Sequence, residues 1–184
     1  MSPMTLEEFI QNTIIDELKI MVDTPRLKYL SFIVMSSAIE FLGACIDNKN
    51  TDFHPPVCVP GLSPSRFKKA IDGIPAFEKY RGFVGRGSTI DLYGELRCGM
   101  SHAALPQPSL ELTERKDKVC GKMHLQIVSL ENRRNRRLIL VCEDLCEDIR
   151  QAAGEVIQRL RLGKDHHKAM EPFLLTDIKI AGIP

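Results

Sequence analysis

The stretch Thr24-Pro-Arg-Leu-Lys-Tyr-Leu-Ser-Phe-Ile-Val-Met-Ser-Ser-Ala-Ile-Glu-Phe-Leu-Gly-Ala-Cys45 decides the fold. Leu27, Leu30, Ile33, Val34, Ala38, Ile39, Leu42 and Cys45 recur at helical spacing, and small or apolar residues fill the other faces as well. A helix that is apolar nearly all round must be covered on all sides, so this segment predicts the central helix of a bundle. Thr24 and Pro25 predict its N-cap and first helical position. Lys28, Glu40 and several serines interrupt the apolar run, and the N-terminus lacks a basic segment followed by an apolar one. Neither a membrane span nor secretion is therefore expected.

Upstream, Thr5-Leu-Glu-Glu8 is a capping box, and Leu6, Phe9, Ile10, Ile14, Leu18 and Met21 follow at helical spacing. This predicts a first helix over Thr5 to Val22, joined by a short connection that favours antiparallel neighbours. Downstream, Pro55, Pro56, Pro60 and Pro64 make Asp47 to Pro64 a loop, since proline removes donors and fixes φ. Ser65 to Tyr80 predicts a helix broken at Gly73 and Pro75. Ser88 with Asp91 predicts the start of another helix, which Pro106 and Pro108 end. Val119 to Ser129 and Arg137 to Cys142 are short β-branched or alternating runs, and the polar segment 131–136 between them predicts a β-hairpin near 119–142. From Glu143 the helical period returns through Ile157 and Leu160, with Gly163 as the stop. The expected architecture is thus mainly α, one domain over 1–184, an up-and-down helical bundle with an inserted β-hairpin.

The chain has 184 residues, 43% of them hydrophobic, which supplies one ordinary core. Lys and Arg total 25 against 24 Asp and Glu, for a net charge of +1, so any polyanion would have to be held by a local patch. Six cysteines without a CxxC pair predict a reducing, cytosolic compartment. No phosphate-loop, dinucleotide-binding, nucleophile-elbow or zinc-protease motif is present. Cys120, His124, Cys142 and Cys146 match no common zinc module, and buried thiols explain them better; neither a metal site nor a cofactor is expected.

The chemistry concentrates in Asp91-Leu-Tyr-Gly-Glu-Leu-Arg97-Cys-Gly-Met-Ser-His102, in which an arginine is followed after four residues by a histidine. This segment resembles the signature of the HEPN superfamily (higher eukaryotes and prokaryotes nucleotide-binding), small helical bundles with Arg, four to six residues, then His. The resemblance covers the motif helix and the helical order, about two thirds of the chain, and leaves out the proline loop and the hairpin. It implies metal-independent endoribonuclease activity, with Arg97 and His102 catalytic and two copies facing each other across a homodimer. It also implies a role of the kind found in toxin–antitoxin and anti-phage systems, with RNA or a nucleotide bound and an antitoxin or other partner protein possible. Chemically, imidazole can give or take a proton near neutrality, and guanidinium can fork onto a phosphate. Five residues on an ideal helix set the two side chains about 140° apart, so they would line a cleft without stacking on each other.

Other readings stay open. A second match, Arg161 to His166 or His167, crosses the helix stop at Gly163 and reads as chance. Active family members commonly carry Asn, Asp or His after the arginine, whereas Cys98 stands here. This favours a non-catalytic HEPN-like module that binds RNA, nucleotide or a partner protein. A purely local role is the third reading: Arg97 pairs with a carboxylate such as Glu40, and His102 sits at the helix C-terminus, where a cation is favoured. Arg133, Arg134, Arg136 and Arg137 could grip phosphates at the hairpin tip, although no aromatic residues interleave for base stacking.

Overall fold

The computed structural model describes residues 4–48, 53, 59–85, 88, 90–129 and 136–163. The chain begins with α1 (Leu6–Phe9), which runs through a π-helical stretch, Ile10–Glu17, into α2 (Leu18–Asp23). Thr5 closes the capping box as expected: its hydroxyl accepts from Glu8 N–H, and the Glu8 carboxylate accepts from Thr5 N–H at 2.7 Å. The residues this rod buries are Leu6, Ile10, Ile14, Leu18 and Val22, every fourth position. At 3.6 residues per turn such a stripe would drift off the core. An i→i+5 stretch takes more residues per turn and returns the stripe to line, which accounts for π geometry in the middle of the rod.

The central helix is α3 (Lys28–Cys45), and it packs against α4 (Leu62–Gly73) and α6 (Cys142–Arg161). Its length and apolarity are those of a membrane span, yet most of its residues are covered by the protein core. Buried Ser31 and Ser36 return their hydroxyls to the carbonyls of Lys28 and Ile33, which removes the cost of burying them. Gly43 lies against α4 so closely that a Cβ would stand 1.8 Å from the Arg66 carbonyl oxygen. The expected N-cap at Thr24 is not used. The Thr24 hydroxyl donates back to Ile20 O, closing α2, and a turn over 25–27 delays α3 to Lys28. Pro64 belongs to the first turn of α4 and not to the loop before it, most of which lies outside the described residues.

Gly73 ends α4 and Pro75 opens a 3-10 segment, Pro75–Phe83, so the predicted break is where the sequence places it. Helix resumes as a π-helical turn, Tyr93–Cys98, continued by α5 (Gly99–Ala103). Leu92, Leu96 and Met100 are buried at four-residue spacing, the same pattern that accompanies the first π stretch. Three strands follow: β1 (Leu110–Thr113), β2 (Ile127–Ser129) and β3 (Arg136–Val141), in the order β1-β3-β2. The hairpin exists, with β2 antiparallel to β3 and Ile127 opposite Leu138. Two features differ from expectation. Residues Arg115–Cys120 form a 3-10 segment, so strand structure starts at Ile127 and not at Val119. A third strand, β1, pairs in parallel with β3, Leu110 opposite Leu138. Four residues are too few to give a readable period, and the pairing is settled by burial of Leu110 against β3. β3 passes directly into α6, whose buried face runs from Cys142 to Ile157 and which ends before Gly163 at φ 62°.

Candidate functional site

Arg97 and His102 lie on the continuous helical run formed by the π turn and α5. Leu96, Gly99 and Met100 face the core, which leaves Arg97 half-buried and His102 exposed at the helix end. Glu40, on α3, reaches Arg97: Nε donates to Glu40 Oε2 at 2.7 Å, and Nη1 donates to Ser101 Oγ. The two side chains are 23% and 18% exposed, so the pair sits at a rim that opens to solvent. Among the described residues no bond is recorded for Arg97 Nη2 or for the His102 ring. The guanidinium is thus oriented from one side and keeps a donor free on the other.

The chain after α5 shapes the rim. Ala104 takes a left-handed conformation at φ 52°, and the returning segment lets Gln107 N–H donate to Glu95 O at 3.1 Å. Gly99 makes this return possible, since a Cβ there would meet Leu105 O at 2.7 Å. The neighbour that approaches Gly99 so closely is the protein's own returning chain. Tyr29 donates its hydroxyl to Ala104 O at 2.7 Å, just past the helix end, and Tyr29 and Leu105 are 43% and 62% exposed. Behind Arg97, Tyr93 donates to Ser63 Oγ at 2.9 Å. Burial, with Cys98 and Glu40 nearby, holds the Tyr93 phenol above its ordinary range, while the Ser63 bond pulls the other way.

The hairpin arginines do not join this site by any recorded bond among the described residues. Arg133 and Arg134 lie outside those residues, as do His166 and His167. Arg136 is exposed and Arg137 half-buried at the start of β3, opposite Ser129 and Val128. No group of three or more potential metal ligands occurs among the described residues. The cysteines considered for zinc have other surroundings. Cys142 lies 3.3 Å from Ser31 Oγ, and burial pushes its thiol up to about 11 and that of Cys146 up to about 12.

A second polar cluster had no sequence signal, because Tyr80, His124 and Asp148 are 24 to 68 residues apart. His124 Nε2 lies 2.7 Å from Tyr80 Oη, Tyr80 donates to Asp148 Oδ2 at 2.5 Å, and Lys79 Nζ donates to Asp148 Oδ1 at 2.7 Å. Burial works to raise the Asp148 pKa, but hydrogen bonds from His124, Lys79 and Tyr80 outweigh it and hold the carboxyl below the usual range. Burial, then the Asp148 charge, pushes the Tyr80 phenol well above its ordinary value. No family model matches the chain, and neither the curated proteins nor the solved structures contain a significant match.

Proposed function

We propose that this chain is a HEPN-like, up-and-down helical bundle that acts on RNA in the cytosol as a homodimer, cutting it without metal through Arg97 and His102. The reading is supported chiefly by the placement of the motif. Half-buried Arg97 and exposed His102 are carried by one continuous helical run, and Glu40 orients Arg97 from the core while its Nη2 stays free among the described residues. In this mechanism Nη2 donates to a non-bridging phosphate oxygen and stabilises the charge that grows there as the ribose 2′-oxygen attacks phosphorus. One His102 takes the 2′-hydroxyl proton and the partner subunit's His102 gives a proton to the departing 5′-oxygen. The products are a 2′,3′-cyclic phosphate and a 5′-hydroxyl. Exposed Tyr29 and Leu105, near the end of the motif helix, offer apolar area for the second copy.

The test is incubation of wild type, Arg97→Ala and His102→Ala with mixed RNA in EDTA. Cleavage by wild type that is lost in both variants supports the proposal; cleavage that survives both removes the assignment. A non-catalytic RNA-, nucleotide- or protein-binding module is the second reading. It is favoured by Glu40, which neutralises Arg97, and by Cys98 at the position after it. RNA retained by wild type without any cleavage decides for that module.

A further inference from the structure

His124 sits in the turn that leads into β2, and both of its ring nitrogens have partners. Nδ1 accepts from Val141 N–H at 3.0 Å and therefore carries no proton. The Tyr80 hydroxyl proton is committed to Asp148, so Nε2 carries a proton and donates it to the Tyr80 oxygen. Geometry thus selects one neutral tautomer, with the imidazole 9% exposed. The next residue, Leu125, has φ 60°, a backbone conformation disfavoured for any residue with a Cβ. It is held there by Leu125 N–H donating to Ile139 O at 2.8 Å and Ile139 N–H donating to Gln126 O at 2.9 Å.

We infer that the turn over residues 122–126 is a proton-operated latch, closed on β3 and α6 by neutral His124 and released when the imidazole takes up a second proton. That proton goes to Nδ1, the ring's only unprotonated nitrogen, and takes the lone pair that Val141 N–H uses. Val141 N–H then faces another N–H, and a buried backbone donor loses its acceptor. The opposite side of the ring gains at the same time, because Asp148 Oδ2 is 3.5 Å from Nε2 and attracts the cation. The groups around the ring are Tyr80 and Lys79 from the 3-10 segment and Asp148 and Asp144 from α6; β3 contributes the Val141 amide. Lys79 already draws on the Asp148 charge, so the carboxylate does not hold the protonated ring unopposed.

Val141 is both the last residue of β3 and the N-cap of α6, so its amide reports on the joint between sheet and bundle. Release also lets Leu125 leave its left-handed conformation and loosens β2, whose Ser129 and Val128 pair with Arg136 and Arg137. The latch does not depend on the ribonuclease reading.

The test is amide hydrogen exchange at Val141, corrected for the intrinsic pH dependence, at about pH 7.5 and about pH 5. In the wild type the protection factor should fall about tenfold on acidification. His124→Asn places an amide oxygen near the Nδ1 position and should protect Val141 equally at both pH values. His124→Gln cannot reach Val141 and should leave it unprotected at both. Unchanged wild-type protection, or the same fall in His124→Asn, overturns the latch. Should the variants fail to fold, nitrogen-15 shifts of the wild-type His124 ring decide: at about pH 7.5 the proton must be on Nε2, and a proton on Nδ1 refutes the proposal.

Discussion

Arg97 and Glu40, 57 residues apart, join the motif helix to the central helix through a single 2.7 Å contact from Nε to Oε2. The pair is rim-like, neither sealed in the core nor free in water, and its role can be read from what remains when one member is removed. Glu40→Ala leaves a half-buried guanidinium with Ser101 as its recorded partner and should cost about 1–3 kcal/mol in urea unfolding. Arg97→Ala in the Glu40→Ala background should cost clearly less than Arg97→Ala alone; additive costs would show that the two do not couple.

Asp148 sets an acid limit on stability. Its folded pKa is below the ordinary value, so the unfolded chain binds the proton first, and the contribution is fully present above the unfolded pKa of about 3.9. It is lost as pH falls through the folded value. Asp148→Ala should lower stability by at least about 1 kcal/mol at neutral pH, since it strands the buried Tyr80 hydroxyl donor. Urea titrations from about pH 6 to about pH 2 should show the gap between wild type and variant closing as acid is added. A gap that widens in acid contradicts the assignment.

Two helical glycines should respond to alanine with opposite signs. Gly43→Ala puts a Cβ 1.8 Å from the Arg66 carbonyl and must push α3 from α4, costing about 1–3 kcal/mol despite the better helix propensity. Gly154→Ala, in α6, meets nothing within 4 Å and should stabilise by about 0.5–1 kcal/mol. Thermal melts of the two variants check both directions.

The thiols should separate by reactivity. Cys120 is exposed, whereas burial holds Cys142 at about 11 and Cys146 at about 12, leaving almost no thiolate near neutral pH. Iodoacetamide at about pH 8 should label Cys120 first, and Cys142 and Cys146 only after denaturant is added. Peptide mass mapping reads the order.

What could be read from the chain alone was local. The Thr5–Glu8 capping box, the break at Gly73 and Pro75, the period of α6 and the stop at Gly163 each depend on residues within a few turns of one another. Their backbone consequences follow wherever the segment is placed. The pairing of Arg97 with Glu40 was legible only as one option among several carboxylates, because a charge does not announce its partner. Leu6, Ile10, Ile14 and Leu18 were legible as part of an apolar helical face, but the four-residue stripe that Val22 completes, and its conversion into a π stretch, required a core for the stripe to face. Tertiary structure alone decided that Leu110–Thr113 is a strand, that Thr24 closes α2 without opening α3, and that Tyr80, His124 and Asp148 meet. Those outcomes depend on which surfaces are buried against which, and burial is a property of the packed chain, not of any segment.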